Sequence, residues 1–333
     1  MRIGLAGTGR IGACHAESLA SLPPVDSLVV ADADPQRARA VAERLGVTAV
    51  DSVDQLFAAG LDGLVIAAAT DAHAPLILAA VEAGLPTFCE KPVAPDVAGT
   101  LAVLDKVAHR DVPVQVGFQR RFDAGYTAAR AAVASGELGW VHTLRAGTLD
   151  PAPPPPEYVP VSGGFFRDCS VHDFDAIRWV TGREVVEVYA VGANHGADFF
   201  REAGDVDAAA AILTLDDGAF AHVAGSRYNA RGYDVRLEVL GSRDSISVGL
   251  DDRLPLRSVE PGVSFPGGAP YPQFMERFRP AYVAELAAFT DVVAGRRAVP
   301  CTVADALEAF YVAEACELSR ARRRPVALAE VRQ

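Results

Sequence analysis

The sequence lacks several features, and each absence argues against a class of protein. No stretch of its 333 residues reaches the roughly 18 uninterrupted apolar residues that an ordinary membrane-spanning helix needs. The first residues lack the basic, apolar and small-residue order of a secretory signal peptide. The five cysteines form no C-x-x-C pair and leave one over, which favours thiols in a reducing compartment such as the cytoplasm. They are Cys14, Cys89, Cys169, Cys301 and Cys316.

Basic residues are also scarce. Lysine and arginine number 31 against 43 acidic residues, which leaves a net charge of -12. A nucleic acid or an anionic membrane surface would require a basic patch, so we expect neither as a partner. Hydrophobic residues make up 50% and charged residues 22% of the chain, as in globular proteins. The length favours two domains.

A glycine-rich turn lies close to the start of the chain. The short apolar run Ile3–Ala6 is followed by six residues that read G-x-G-x-x-G and then by a helical pattern. A strand, this motif and a helix together form the dinucleotide-binding fingerprint, whose helix N-terminus faces the phosphates of the cofactor. We therefore predict that the whole turn binds cofactor: Gly7, Thr8, Gly9, Arg10, Ile11 and Gly12.

Asp32 bears on which cofactor is used. It ends the second apolar run, Ser27–Ala31, 20 residues beyond Gly12. In the fingerprint an acid at this distance accepts hydrogen bonds from a ribose hydroxyl, and its charge repels a 2′-phosphate. Asp32 therefore predicts NAD rather than NADP. The alternative is that Asp32 serves only as a turn or capping residue ahead of Pro35.

Apolar runs and helical patterns continue to alternate as far as residue 118. This alternation predicts a doubly wound parallel sheet, a Rossmann domain, over residues 1–118. Ligands of such sheets sit at the carboxyl ends of the strands. The residues that leave the strands are Ala68, Ala69, Thr70, Asp71, Glu90, Lys91, Pro92, Gln119, Arg120 and Arg121.

Lys91 is the chemically distinctive residue of this group. A lysine at the end of a central strand would be partly desolvated and could stabilise a developing alkoxide. The proline after it is compatible with a turn or a cis bond. The alternative is an exposed lysine at the start of a loop.

The stretch 165–179 carries a second chemical pattern. Read as a helix, it places Asp168, His172 and Asp175 within about 60° of one another, with Phe174 and Ile177 on the opposite face. A histidine flanked by carboxylates suits general acid/base chemistry. The alternative is a surface or capping pair. A metal site is not expected, because no second histidine or cysteine lies at ligand spacing.

The remainder of the second half differs from the first. Consecutive strand-like segments with short turns, including a hairpin signal at Asp217-Gly218, predict a largely antiparallel sheet. The proline-rich stretch 151–156 predicts a loop, either a surface connector or a cover for the substrate. Two helices are predicted near 280–294 and 302–322. The fold class is thus α/β, with an α+β domain over 119–333 whose sheet is open on one face.

Four of these motifs occur together in one known family. In order and spacing, the chain resembles the glucose-fructose oxidoreductase/inositol dehydrogenase (Gfo/Idh/MocA) family over essentially its full length. The motifs are the glycine turn, Thr70-Asp71-Ala72-His73, Glu90-Lys91-Pro92 and Asp168-x-x-x-His172. The stretch 114–126 is similar to the inositol 2-dehydrogenase branch.

The resemblance implies a function and assigns roles. It implies an NAD-dependent dehydrogenase that oxidises a secondary hydroxyl of a cyclitol, most directly myo-inositol to 2-keto-inositol, with His172 as base. It also implies a homo-oligomer, dimer or tetramer, formed through the open sheet. The implied catalytic residues are Lys91, Asp168 and His172, and these three would bind the polyol together with Arg120, Asp175 and Tyr233. The resemblance places Glu90 and His73 on the nicotinamide side, and the positions at the strand ends add further expected cofactor contacts, namely Ala68, Ala69, Thr70, Lys91, Gln119 and Arg120.

Two departures from the branch leave the substrate open. Thr148-Leu149-Asp150 and prolines stand where inositol dehydrogenases usually carry histidine and asparagine, and Cys169 stands where threonine is common. The alternatives are a dehydrogenase of another cyclitol or of a pyranose, an NAD-dependent glycoside hydrolase, or a non-catalytic NAD sensor.

Overall fold

The computed structural model describes residues 1–332, which form two compact units. The first unit combines Met1–Phe122 with Pro280–Leu307, and the second combines Asp123–Arg279 with the residues from Glu308 onward. The predicted ranges, 1–118 and 119–333, are each continuous. The structure differs from these ranges in two respects: the boundary lies four residues later, after Phe122, and the later segment Pro280–Leu307 returns to the first unit.

The sheet of the first unit is parallel throughout. Its six strands lie in the order β3-β2-β1-β4-β5-β6. They are β1 (Arg2–Ala6), β2 (Ser27–Ala31), β3 (Thr48–Ala49), β4 (Gly63–Ile66), β5 (Thr87–Glu90) and β6 (Val114–Gly117). The doubly wound parallel sheet predicted from the alternating pattern is confirmed. The two-residue strand β3 was not predicted, since it is too short to produce a pattern.

Helices connect these strands, and their ends follow from local chemistry. They are α1 (Arg10–Ser21), α2 (Pro35–Leu45), α3 (Val53–Phe57), α4 (Thr70–Glu82) and α5 (Val97–Ala108). Asp34 caps α2 by accepting a hydrogen bond from the amide of Gln36, and Gly46 ends that helix with a φ of 68°. Asp96 caps α5 by accepting from the amide of Gly99. Such caps satisfy backbone groups that a helix end leaves without partners.

The returning segment packs into the core of the first unit. Helix α9 (Phe274–Val293) contributes Leu286, Phe289 and Val292 to a buried cluster that also contains Ile3 and Phe88. Burial of these apolar side chains stabilises the unit by about 1.5–3 kcal/mol for each large side chain. An apolar helical stripe does not by itself specify which strands it will cover, so its partner could not be read from the sequence.

The second unit contains a seven-stranded sheet in the order β12-β11-β7-β10-β9-β8-β13. Its strands are β7 (Val141–Leu149), β8 (Val185–Ala193), β9 (Ala208–Leu215), β10 (Phe220–Ser226), β11 (Asp234–Gly241), β12 (Ser245–Val248) and β13 (Val326–Ala327). β7 and β10 pair in parallel, and the other neighbouring strands described in this sheet pair antiparallel. The largely antiparallel sheet is confirmed, as is the β9–β10 hairpin at Asp217-Gly218.

Within residues 1–332, four further α-helices are present. They are α6 (Ala124–Ser135), α7 (Val171–Thr181), α8 (Phe199–Glu202) and α10 (Val303–Arg322). Among the residues described, no helix is both long and apolar enough to cross a membrane.

One face of the second sheet carries exposed apolar side chains. Residues of β8, β9 and β10 alternate between buried and exposed positions, as expected for a sheet covered on one side. The exposed positions include large apolar residues, namely Val186, Tyr189, Val191, Ile212 and Phe220, each at least 40% exposed. Tyr189 and Ile212 are direct neighbours on β8 and β9, and exposed apolar side chains that lie next to each other are typical of protein–protein interfaces.

Candidate active site

The glycine turn of the first unit is shaped by close backbone contacts on one side. Gly7 has a φ of +97°, and a Cβ added there would lie 2.5 Å from the Ala67 carbonyl group. A Cβ added at Gly12 would lie 2.1 Å from the carbonyl oxygen of Gly7. At Gly9, by contrast, an added Cβ would meet nothing within 4 Å. The turn is therefore closely packed on the protein side and open beside Gly9, where a cofactor pyrophosphate fits.

Asp32 is held in an ionised state next to this turn. Its Oδ2 accepts hydrogen bonds from the Thr8 amide at 2.6 Å and from the Thr8 hydroxyl at 3.0 Å. Its Oδ1 accepts from the Asp34 amide and from Arg37. Burial alone would raise the pKa of Asp32, but the hydrogen bonds and the Arg37 charge outweigh burial, and the pKa is lowered. This anchored carboxylate has the chemistry to accept from a ribose hydroxyl.

The Glu90-Lys91-Pro92 segment begins at the last residue of β5, at the same edge of the sheet. The Lys91–Pro92 peptide bond is cis. His73 is 2% exposed, and its Nδ1 lies 2.7 Å from the Pro92 carbonyl oxygen. His73 Nε2 lies 3.1 Å from the carbonyl oxygen of Ala68. The buried imidazole therefore connects the segment that follows β4 with the segment that contains Lys91.

A short 3₁₀ helix, Gln119–Phe122, follows β6. Gln119, Arg120 and Arg121 are all buried. Arg121 donates to the Pro300 carbonyl oxygen at 3.1 Å, and its Nη2 lies 3.4 Å from Asp305 Oδ1. The charge of Arg121 is thus paired with Asp305 inside the first unit. The residue that the sequence predicts to bind ligand is its neighbour, Arg120.

In the second unit, Asp168 belongs to a network of charged hydrogen bonds. Arg227 Nη2 donates to Asp168 Oδ2 at 2.8 Å, and Arg227 Nη1 donates to Asp150 Oδ2 at 2.9 Å. The Tyr158 hydroxyl donates to Asp168 Oδ1 at 3.0 Å. Tyr158 follows the proline-rich loop 151–156, which forms neither helix nor strand, as predicted. Both oxygens of Asp168 are thus oriented by residues distant in sequence.

In this network Arg227 stays charged and the Cys169 thiol stays neutral. Burial alone would lower the pKa of Arg227, but the surrounding negative groups, including Asp168 and Asp150, raise it further above its ordinary value. Arg227 therefore stays charged. Burial raises the pKa of the Cys169 thiol, which is accordingly protonated and a poor nucleophile.

The helix that carries His172 differs from the prediction in its first turn. Residues Phe166–Ser170 form a π-helical turn, and the α-helix begins only at Val171. The predicted continuous α-helix is therefore wrong here. Phe174 and Ile177 are buried as predicted, but Asp175 is fully buried as well, so α7 does not have one polar and one apolar face. A π-turn of this kind is frequently found at functional sites.

The remaining predicted residue of the second unit is Tyr233. It is 5% exposed, and its ring lies against Phe274 and Phe278, with centroid distances of 6.3 and 6.5 Å. The predicted site residues are divided between the units. Lys91 and Arg120 belong to the first, whereas Asp168, His172, Asp175 and Tyr233 belong to the second.

Sequence reasoning missed Arg227 and Tyr158. Arg227 directly follows β10, and a charged residue at a strand end is a weak signal by itself. Its separation of 59 positions from Asp168 hides the contact. Tyr158 is likewise one tyrosine in a loop, and only the fold brings its hydroxyl to Asp168.

Comparison with known proteins agrees with this architecture. A family model described as an oxidoreductase family with an NAD-binding Rossmann fold matches residues 1–118, and the GFO/IDH/MocA C-terminal domain matches residues 126–247. The chain is 41% identical over 323 residues to a myo-inositol dehydrogenase of Streptomyces leeuwenhoekii, covering 96% of this chain and 97% of the relative.

Two solved structures are similar to the chain over nearly its whole length. A myo-inositol dehydrogenase from Corynebacterium glutamicum has a TM-score of 0.91 and 36% identity, with 98% of each chain covered. A scyllo-inositol dehydrogenase from Lactobacillus casei, solved with NAD(H) and scyllo-inositol, has a TM-score of 0.89 and 28% identity, with 99% of each chain covered. With a glycine turn that fits NAD and an anchored Asp32 beside it, the chain belongs to the GFO/IDH/MocA family and is an NAD-dependent dehydrogenase.

Proposed function

We propose that the protein oxidises a secondary hydroxyl of a cyclitol, with myo-inositol as substrate and 2-keto-inositol as product. The observation that carries this proposal is the 41% identity, over nearly the full length of both chains, to a relative named as a myo-inositol dehydrogenase. The Lactobacillus casei structure that contains scyllo-inositol supports the same class of substrate.

Three residues carry the proposed chemistry. NAD, when bound, supplies the acceptor for the hydride that leaves the carbinol carbon. His172 removes the hydroxyl proton, and Asp168 orients the imidazole and favours its protonated form. Lys91 positions the hydroxyl and stabilises its developing negative charge. Arg227 and Tyr158 support this assignment, because their hydrogen bonds to Asp168 hold the carboxylate in a fixed orientation.

Further polar residues are proposed to recognise the other ring hydroxyls. These residues are Arg120, Asp175 and Tyr233. A polyol ring presents several donors and acceptors, and a site built to hydrogen-bond them discriminates strongly against analogues that lack one. The proposed cofactor contacts are Asp32, His73, Glu90 and Gln119, the glycine turn and the residues Ala68, Ala69 and Thr70.

We further propose that the protein is a homo-oligomer whose interface is the open face of the second sheet. The exposed large apolar side chains of β8, β9 and β10 support this proposal, since their burial against a second copy would remove them from water. A cytoplasmic location is proposed from the cysteines, all five of which are thiols.

NADH formation across a panel of polyols tests the substrate. The panel comprises myo-, scyllo- and chiro-inositol, glucose, galactose and xylose. We expect kcat/KM for an inositol to exceed that for each sugar by at least about tenfold. Preference for a sugar would replace the cyclitol proposal with a pyranose dehydrogenase. Turnover of a glycoside with no net NADH would instead indicate a hydrolase.

A further inference from the structure

Three ionisable side chains form a buried cluster within the first unit. His15 comes from α1, Glu90 from the end of β5 and Glu285 from α9. His15 and Glu285 are fully buried, and the Glu90 side chain is 13% exposed. One nitrogen or oxygen atom from each residue lies within 4.8 Å of the other two. The proposed chemistry uses neither His15 nor Glu285.

Glu285 is the least satisfied member of this cluster. Within residues 1–332, neither of its carboxyl oxygens has a hydrogen-bond partner. An ionised carboxylate in such surroundings is strongly disfavoured relative to the neutral acid. Burial, and then the negative charge of Glu90, raises the pKa of Glu285 well above its ordinary value of 4.5.

The groups around Glu285 offer little compensation for a second negative charge. Besides Glu90, the titratable groups in and beside the cluster are His15 and, from α9, Tyr282, whereas Cys89, which precedes Glu90 in β5, lies on the opposite face of the sheet. The Tyr282 ring packs edge-on against His15 at 5.7 Å, and burial raises the pKa of the Cys89 thiol. Of these groups His15 alone can carry positive charge, and its Nε2 is already 2.6 Å from Glu90 Oε1.

The distance between His15 and Glu90 fits a hydrogen bond better than two ligands of one metal ion. Two ligand atoms bound to one zinc ion at about 2.0–2.2 Å in tetrahedral geometry lie roughly 3.4 Å apart. The 2.6 Å between His15 Nε2 and Glu90 Oε1 is instead a short, charge-assisted hydrogen bond. Because a carboxylate only accepts, His15 Nε2 is the donor.

We propose that His15, Glu90 and Glu285 form a buried proton-holding site in which His15 donates to the Glu90 carboxylate and Glu285 keeps its proton. His15 is the positioning residue, and a neutral Glu285 leaves the hydrogen bond between His15 and Glu90 without a competing negative charge. The hydrogen bond from His15 fixes Glu90, and with it the adjacent Lys91, against the helix that begins at the glycine turn. The inference rests on the proposed role of the Glu90-Lys91 segment beside the cofactor.

The proposal has a definite pH dependence. Because the folded-state pKa of Glu285 lies above 4.5, the folded protein holds this proton more tightly than the unfolded chain does. The stabilisation is fully present below the unfolded-state value and is lost as the pH rises through the folded-state pKa. Loss of the proton places a second negative charge next to Glu90, which displaces Glu90 and weakens NAD binding.

Urea unfolding of wild type and Glu285→Gln tests whether Glu285 is protonated in the folded protein, since glutamine mimics the neutral acid. Above about pH 4.5 we expect the unfolding constant of wild type to rise with pH relative to the variant, by up to about tenfold per pH unit until the folded-state pKa is reached. Glu43→Gln, at an exposed position of α2, is the matched control and should follow wild type. Parallel pH dependences for wild type and Glu285→Gln would overturn the proposal.

NAD affinity, measured by calorimetry without substrate, tests the positioning role. We expect His15→Leu to weaken NAD binding by about tenfold, and His15→Gln, which keeps a donor for Glu90, to restore most of the affinity. Glu285→Gln should abolish the alkaline loss of affinity. Equal affinities in wild type and His15→Leu would contradict the positioning role. These readouts need no polyol, so a failure of the cyclitol proposal is distinguishable from a failure here.

Two further measurements complete the test. With ¹³C-labelled glutamate, the infrared spectrum at neutral pH should contain the carbonyl band of a protonated glutamic acid, and its absence would overturn the proposal even if Glu285→Gln fails to fold. We expect elemental analysis of the purified wild type to detect no stoichiometric divalent metal. A metal present in wild type and absent from Glu285→Gln would be the contrary result. Such a metal would replace the proton in this site.

Discussion

Arg227 Nη2 donates a hydrogen bond of 2.8 Å to Asp168 Oδ2, the carboxylate that precedes the proposed base by four residues. The same guanidinium donates to Asp150, and its side chain is 7% exposed. A planar guanidinium can hold two carboxylates at fixed angles, which an ammonium group cannot reproduce. Arg227 therefore orients Asp168 although it is not itself a proposed catalytic residue.

Replacement of Arg227 should disturb turnover more than cofactor binding. A hydrogen bond to a charged group contributes about 1.5–3 kcal/mol, so we expect Arg227→Lys to lower kcat by about 10- to 100-fold. The NAD dissociation constant should change little. Steady-state kinetics and calorimetry measure the two quantities. Arg201→Lys, at a surface position of α8 that is 67% exposed, is the control, and equal kcat values for the two variants would refute the role of Arg227.

Removal of the proposed base, His172, should lower turnover without weakening NAD binding. We expect His172→Ala to lower turnover by about 10² to 10⁴, because general base catalysis contributes a factor of this size. NAD binding should persist, since the glycine turn and Asp32, which would hold the cofactor, are unchanged in this variant. His109→Ala provides the control at a side chain that is 75% exposed. Turnover near wild type in His172→Ala would remove this histidine from the mechanism.

The negative charge of Asp32, next to Arg37, is expected to set the preference for NAD over NADP. Arg37 Nη2 donates to Asp32 Oδ1 at 2.8 Å, and the Arg37 side chain is 56% exposed. Asp32→Ser should release Arg37 to bind a 2′-phosphate and remove the repulsion. We expect the ratio of kcat/KM for NAD to that for NADP to fall by about 10- to 100-fold. Asp51→Ser, which also removes the partner of an exposed arginine, should leave the ratio unchanged.

The open sheet face predicts how the oligomer can be broken. Ile212 is 47% exposed on β9, and a charged side chain there would have to be desolvated on association. We expect Ile212→Lys to lower the mass measured by light scattering to that of one chain, without loss of fold by circular dichroism. Leu101→Lys, at an exposed position of α5, should leave the mass unchanged. An oligomer that survives in Ile212→Lys would exclude this face as the interface.

The lowered pKa of Asp305 predicts that the folded protein loses stability in acid. Burial alone would raise its pKa, but the charge of Arg121 and hydrogen bonds from Thr302 lower it below the ordinary 3.8. A lowered folded-state pKa contributes stability that is present above about pH 3.8 and is lost as the pH falls through the folded-state value. Urea unfolding should show Asp305→Asn less stable than wild type near neutral pH, with the difference shrinking in acid. A constant difference would contradict the ion pair.

Local patterns were sufficient to predict much of the molecule. The glycine turn, Asp32 and the alternation of strands and helices each depend on neighbours within about 30 residues, so their spacing carries the information. Burial of Phe174 and Ile177 followed from helical periodicity in the same way. The π-turn at 166–170 did not, because a spacing of four residues is compatible with both helix types.

By itself, then, the sequence determined the dinucleotide-binding fold, the cofactor class and the candidates Lys91, Asp168 and His172. The tertiary structure alone decided what holds some of these groups in place. Arg227 reaches Asp168 across 59 positions, and His15 reaches Glu90 across 75. Such contacts depend on which helices and strands pack together, and the free energy that selects the packing is spread over the whole core rather than encoded in any short segment.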